Sequence, residues 1–296
     1  MRDLRTRLFS GASGLAAVLI VGVLGVILVD AVHGGWSRLS WEFFSKSPTE
    51  GMTQGGIFPA IWGTAVLTLM MTVAVMPIGV MTAIYLHEYA PVGSRFAGLV
   101  RVAVVNLAGV PSIVFGLFGL GFFIHFLGEG IDRALGSGMR FGQPGLLWAA
   151  LTLAVLTLPV VIVATEEALR AVSIDLRHAS LALGATQSQT LWRVVLPGAL
   201  PGILTGAILA VSRGAGEVAP ILLTGAAYFL PDLPSSLTSQ FMHLGYHTYV
   251  LATQSPDVEA TRPLLYGTVV VLLMLTFTLN LVAVVLRSRT RAKANA

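Results

Sequence analysis

Cysteine is absent from this 296-residue chain, and only 11% of its residues are Asp, Glu, Lys or Arg. The first absence excludes a disulfide framework. The second excludes a water-facing surface, because a soluble domain carries about a quarter charged residues. With 55% apolar residues the chain is not disordered either. A Gly-rich phosphate loop ending in Lys-Ser/Thr is missing, which excludes ATP binding in the Walker manner. No Ser/His/Asp nucleophilic grouping falls within the apolar stretches. Internal repeats and low-complexity tracts are missing too. So are ten-residue blocks of period-2 alternation, which argues against a transmembrane β-barrel. The pI near 9.8 is not a sign of nucleic-acid binding, since no basic stripe on a polar face accompanies it.

What the chain has instead is length of apolar run, with a mean hydropathy of +0.82. About 20 apolar helical residues cross a hydrocarbon core about 30 Å thick. Six runs qualify, at residues 12–32, 60–86, 98–126, 145–169, 200–227 and 264–286. Backbone groups in lipid must be satisfied within the segment, so the expectation is an all-α integral membrane protein with six transmembrane helices. Arg2, Arg5 and Arg7 precede the first run as in a signal peptide, but the apolar stretch Ala12–Val29 is longer than a signal core. It reads as an anchor, so residues 1–59 form an anchor helix and outer loop.

Charge sets the expected orientation. With the N-terminus inside, the inner side holds twelve Lys and Arg against five acids, and the outer side five against eight. Both termini are therefore expected in the cytoplasm, with a basic tail at 288–296. Trp36, Trp41, Trp62 and Trp148 fall at outer span ends, as an interfacial belt would place them. Arg213 and Glu217 belong to neither side; both lie within the fifth run.

The inner segment 173–197 carries features that a bare connector does not need. Ser173 suits a helix N-cap, Gly184 the left-handed residue that ends that helix, and Thr186 with Gln189 a capping box. Pro197 marks the next break, giving two short helices. Leu181, Leu183, Leu191 and Trp192 supply apolar surface on the aqueous side. This is either a docking surface for a cytoplasmic partner or an amphipathic interfacial helix pair.

Arg213-Gly-Ala-Gly-Glu217-Val-Ala-Pro220 lies mid-span, and the i, i+4 spacing pairs Arg213 with Glu217 on one helix face. Ionisable groups at that depth usually face a cavity or one another. A planar guanidinium suits an oxyanion, with Glu217 neutralising it when empty or accepting the hydrogen bond of the proton on hydrogen phosphate. The alternative is a structural bridge between helices. Pro111 removes a helical N–H inside the third run, and Ser112 is placed to satisfy freed groups. That fits a broken helix lining a pathway or a packing kink; Pro77 reads as a plain kink. His243 and His247 lack a third metal ligand nearby, and an interfacial helix over 235–251 is expected there. No metal or cofactor is expected.

Two resemblances sharpen this reading. His178-Ala179-Ser180, three residues, Gly184, nine residues and Val194-Val195-Leu196-Pro197 resemble the E-A-A, three, Gly, nine, I-x-L-P loop of ABC importer permeases. His178, Ser180 and Val194 depart from that pattern. Ser212–Thr224 resembles the R-x-x-G-E-T-A-P-L-L-x-T signature of the PstA-type permease of phosphate-specific ABC importers, with Val218 in place of Thr. Gly109–Leu117 and Glu166-Glu167-Ala-Leu agree, and the resemblance covers about residues 60–286. It implies a type I ABC importer permease core at 60–287, with 173–197 as the coupling loop. It further implies a bacterial inner-membrane location, phosphate as cargo, and Arg213 and Glu217 on its path. The implied partners are a PstC-type second permease, a PstB-type ATP-binding dimer, a periplasmic phosphate-binding protein and surrounding lipid, but no nucleic acid. The chain itself would not be an enzyme. An ABC importer of another solute, or an ATP-independent secondary transporter with Arg213 and Glu217 as a relay, remains open.

Overall fold

The computed structural model describes residues 2–49, 54–136, 138–255 and 257–294. Glu50, one of the acids assigned to the outer side, and the last two positions of the basic tail lie outside them. In chain order, α1 (Arg2–Gly35) leads through a 3-10 turn (Trp36–Arg38) to α2 (Trp41–Ser45). Two short antiparallel strands follow, β1 (Pro48–Thr49) and β2 (Gln54–Gly55), with Pro48 opposite Gly55. Next is α3 (Phe58–Ile84), which ends in a π-helical turn, Tyr85–Tyr89. After it come α4 (Arg95–Ala108) and α5 (Ser112–Phe118), the latter running through a π-helical segment (Gly119–Gly128) into α6 (Glu129–Leu135). Then come α7 (Leu146–Arg170), α8 (Ile174–Ala182) and α9 (Gln187–Thr190). A third π-helical stretch (Leu191–Val195) joins α9 to α10 (Leu196–Gly216), and α11 (Ala219–Thr224), α12 (Leu244–Thr253) and α13 (Val258–Ala294) complete the fold.

Six helical stretches are long and apolar enough to cross a membrane: 11–38, 58–89, 112–135, 146–170, 187–216 and 258–289. Two boundaries differ from those read off hydropathy. The expected third span, 98–126, is divided at Gly109–Pro111, so α4 is a separate helix and the span begins at Ser112. The expected fifth span, 200–227, begins earlier, at Gln187, and stops at Gly216. Hydropathy averages over an interruption; backbone direction does not.

The core forms where α3, α7 and α10 meet. Leu67, Met71, Val75, Leu153, Val161 and Ala210 are buried in one apolar cluster. Lipid is as apolar as leucine, so close contact between helices depends on small residues. Gly202 faces Ala168, and Gly206 faces Ala164, so two successive turns of α10 lie flush on α7. A side chain at Gly79 would strike Val161 in the same way. Several buried hydroxyls on these helices are satisfied locally, although that of Thr165 on α7 has no partner among the described residues. Thr64, Thr68, Thr152 and Thr157 donate to carbonyls one turn back at 2.7–2.8 Å, which removes the cost of an unpaired group in an apolar interior. By contrast, α1 is exposed over most of residues 11–33. Gly34 and Gly35 at its end abut Tyr266 and Gly267 of α13.

The tryptophan belt is incomplete. Trp36, Trp41 and Trp62 are exposed, as a membrane interface requires, but Trp148 is buried. Its Nε1 donates to the Phe141 carbonyl at 2.7 Å and its ring stacks on Phe123. An indole whose N–H is satisfied inside the protein has no need of the interface. The helix expected over 235–251 is also shorter. Residues 235–243 are irregular, and α12 starts at Leu244 with its N-terminal half buried against α3.

Candidate functional site

The fifth span ends where its charges are. Helix α10 stops at Gly216, and Glu217 takes an extended conformation (φ −76°, ψ 132°) before α11 restarts at Ala219. Arg213 therefore sits in the last turn of a helix, where the carbonyl end of the macrodipole favours a cation. Its Nε lies 3.5 Å from Glu217 Oε1. The expected pairing holds, but it closes across a helix end and not along one face. Neither group is sealed in, since the side chains are 36% and 20% exposed. Gly214 packs on Met71 and Thr157, whereas Gly216 has nothing within 4 Å of where a side chain would stand. The break is thus held on one side and open on the other. With Nε engaged by Glu217, the two terminal nitrogens of Arg213 are left for a planar, bidentate contact with an oxyanion. At the preceding residue, the Ser212 hydroxyl donates to Asn280 Oδ1 on α13 at 2.5 Å.

The second interruption meets the first. Pro111 is the N-cap of α5 (φ −57°, ψ 138°) and Ser112 is its first residue, so the proline separates two helices and does not bend one. Val110 N–H still closes on the Leu107 carbonyl, and Val114 N–H on that of Pro111. One turn on, a Cβ at Gly116 would lie 3.0 Å from Pro220 Cα and 3.2 Å from the Ala219 carbonyl oxygen. The backbones of α5 and α11 touch there because residue 116 has no side chain. Gly119 meets Thr152 and Thr224 in the same manner. The two stretches most distinctive in the sequence are therefore one place in the fold.

The 173–197 segment projects at the other end of the bundle. Ser173 caps α8 by accepting from Asp175 N–H, and Gly184 has φ +87°, the left-handed conformation that ends it. Thr186 and Gln189 form the full capping box at α9. Pro197 is not a break: the helix runs from Gln187 through Leu191–Val195 to Gly216, with Pro197 in the first turn of α10 and exposed. One short helix and the extended root of a span thus replace the expected pair. His178, Ala179 and Gly184 are exposed, while Ser180, Val194 and Leu196 are half-buried. Ser180 Oγ meets Thr190 Oγ1 at 2.9 Å, fastening α8 to α9. Leu183 is 90% exposed, and Ile174, Leu176 and Trp192 are also open. That is an apolar surface beyond the span ends.

Three groups behind these sites were not signalled by any motif. Glu88 receives Arg177 of α8, and Arg101 of α4 lies 3.2 Å from Glu166 of α7. The N–H of Gly245 donates to His243 Nδ1 at 3.1 Å. That fixes a neutral His243 with its proton on Nε2, which has no partner, and neither ring nitrogen of His247 has one. Burial holds both rings neutral, pushing His243 to about 3 and His247 to about 4. Val218 packs on Gly245, so this pair backs the span-five break. Ion pairs between residues 65 or 89 positions apart leave no local periodicity, which is why the sequence does not announce them.

Comparison with known proteins bears on the whole arrangement. The family described as binding-protein-dependent transport system inner membrane component matches residues 75–292. The chain is 33% identical over 273 residues to a probable ABC transporter permease protein, YqgI, of Bacillus subtilis, covering 88% of each. It is 32% identical over 289 residues to phosphate transport system permease protein PstA 1 of Mycobacterium tuberculosis, covering 95% of this chain and 87% of that protein. A solved bacterial ABC transporter involved in the import of the acidic polysaccharide alginate superposes with a TM-score of 0.68 over 97% of this chain, at 13% identity.

Proposed function

Because the chain belongs to the family of binding-protein-dependent transport system inner membrane components, as a permease component of an ABC importer, we propose that its cargo is inorganic phosphate. In this reading residues 1–59 are an anchor and outer loop, 60–287 the permease core and 288–296 a basic tail at the cytoplasmic face, with both termini inside. A PstC-type permease supplies the other half of the pathway, an outside binding protein delivers the anion, and a PstB-type ATPase pair docks on 173–197. The chain makes and breaks no covalent bond; ATP is hydrolysed in the partner.

The observation that carries the reading is Arg213, a partly exposed guanidinium at an opened helix end with Glu217 beside it. A buried cation without a counter-ion is costly, and one permanently sealed to its counter-ion is useless for binding. A pair at 3.5 Å with both members accessible is neither. An arriving oxyanion takes the terminal nitrogens of Arg213. Glu217 then repels a full dianion or accepts a hydrogen bond from its P–OH group, and the repulsion favours release over retention. Pro111 and Ser112 begin the helix whose Gly116 abuts Pro220, which supports placing them on the same path. ATP binding in the partner shifts the pathway between its two openings by binding one of them better.

The cargo is tested with the assembled complex in proteoliposomes, loaded with ATP on the nucleotide-binding side. Labelled phosphate should accumulate only with ATP and the binding protein, and a tenfold excess of sulfate should leave uptake within about twofold. Uptake without ATP would overturn the importer reading, and displacement by sulfate the phosphate assignment.

A further inference from the structure

The turn that ends span two is where the docking loop and both helix interruptions are tied together. Glu88, in the π-helical turn Tyr85–Tyr89, accepts Arg177 Nη1 on its carboxylate at 2.5 Å and Gln187 Nε2 on its backbone carbonyl at 3.2 Å. One residue thus holds both arms of the loop, α8 by charge and α9 by its main chain. Arg177 also donates Nη2 to the Leu169 carbonyl at the end of span four, 2.7 Å away. Two residues before Glu88, the Leu86 carbonyl accepts Arg101 Nη2 at 2.7 Å, and the same nitrogen lies 3.2 Å from Glu166. Arg101 is on α4, which runs into the Pro111 interruption. Gln187 begins the helix that runs without a break to Gly216 and the Glu217 interruption.

We infer that Glu88 is the positioning residue through which displacement of the docking loop reaches both interruptions. This rests on the importer reading but not on phosphate as cargo. The physical case is stiffness. The Arg177 and Glu88 side chains are only 17% and 12% exposed, so salt and water screen them little and the link is short and charge-assisted. Exposed pairs elsewhere, such as Lys46–Glu42 at 63% and 59%, have no such constraint. Gly184, at φ +87°, makes the turn between α8 and α9, and the Ser180–Thr190 contact keeps the two together. A push on α8 therefore passes through Arg177 to the ends of spans two and four, and Glu88 is its charged contact on span two. Spatial intermediacy alone does not establish coupling, so the test is a charge-exchange cycle.

The absence of native cysteine permits a single thiol reporter at Gly216, where there is open space. In the complete complex, its reaction rate with a water-soluble maleimide should change several-fold between the nucleotide-free and the ATP-vanadate states. Glu88→Gln and Arg177→Met should each abolish that change and cut uptake at least fivefold, while the ATPase still co-purifies. The exchanged pair, Glu88→Arg with Arg177→Glu, should restore at least half of both. Retention of the nucleotide-dependent change in either single variant overturns the inference. So does failure of the exchanged pair to restore anything, including the case where the single variants do not assemble, since a purely structural role predicts that result. The thiol readout does not depend on which solute is carried, so a wrong cargo leaves the inference testable and a failed strut leaves the cargo intact.

Discussion

The two interruptions, whose following helices touch at Gly116 and Pro220, are built differently. In span three the break falls at a proline, and the chain around Gly109–Pro111 carries no charge. In span five the helix ends at Gly216, four residues before its proline, and the residues on either side of the end are an arginine and a glutamate. Four other prolines, Pro77, Pro159, Pro201 and Pro263, lie inside helices that continue through them. Proline is therefore not what opens these helices. A missing N–H is tolerated where neighbouring helices and local adjustment satisfy the freed carbonyl. The helices that follow the two interruptions, α5 and α11, are held backbone to backbone at Gly116 and Pro220. The first break supplies shape, and the second supplies shape and charge.

This comparison can be broken in several ways. The largest expected effect comes from acid, because only the second break has a titratable wall. His243 and His247 are buried neutral, with values near 3 and 4 against 6.5 when unfolded. The unfolded chain binds more protons between those limits, so their contribution is present above pH 6.5 and is lost as pH falls below it. The slope is up to about 1.4 kcal/mol per group per pH unit. Thermal unfolding of the complex in detergent should show Tm falling from pH 6.5 to 4.5, and His247→Leu should flatten that fall. An unchanged slope in the variant would remove the histidine wall from the account.

Next is Gly116→Leu. A side chain between two backbones already in contact forces α5 from α11, at about 1–3 kcal/mol of overpacking. Tm should drop and uptake should fail, whereas Gly121→Leu, which meets nothing within 4 Å, should leave Tm within a degree or two. Equal losses would mean that the contact is not special.

Gly184→Val acts at the far end of the molecule. A β-branched residue at φ +87° costs about 1–3 kcal/mol. The expected result is a permease that still reaches the membrane but in which ATP hydrolysis no longer drives uptake; normal uptake with bound ATPase would refute the turn's role. The smallest effect is expected for Pro111→Ala. Restoring an N–H should change stability by less than about 1 kcal/mol, yet lower uptake a few-fold by letting α4 and α5 merge. Undiminished uptake would make the span-three break a packing feature only.

Much of this was legible in the sequence where the signal is local. The caps at Ser173 and Thr186, the left-handed Gly184 and the pairing of Arg213 with Glu217 all follow from residue type and short spacing. The six spans followed from apolar length, but not their edges at 109–111 and 217. A hydropathy run passes over a backbone reversal when the residues there are Gly, Val and Ala. Trp148 and the histidines were misplaced for a related reason: an aromatic near a span end is apolar and polar at once, and only the tertiary contacts decide which part is satisfied indoors. The Glu88–Arg177 and Arg101–Glu166 links were invisible because their partners come from different helices.

The central claim is that Arg213 meets the transported anion at the open end of span five. Its most direct test is ATP-dependent uptake of labelled phosphate by the assembled complex carrying Arg213→Gln, with subunit stoichiometry and membrane level matched to the unaltered protein. The account predicts at least a tenfold loss of uptake with assembly intact. Uptake at the unaltered rate would show that Arg213 is a structural partner of Glu217 and that the anion passes elsewhere.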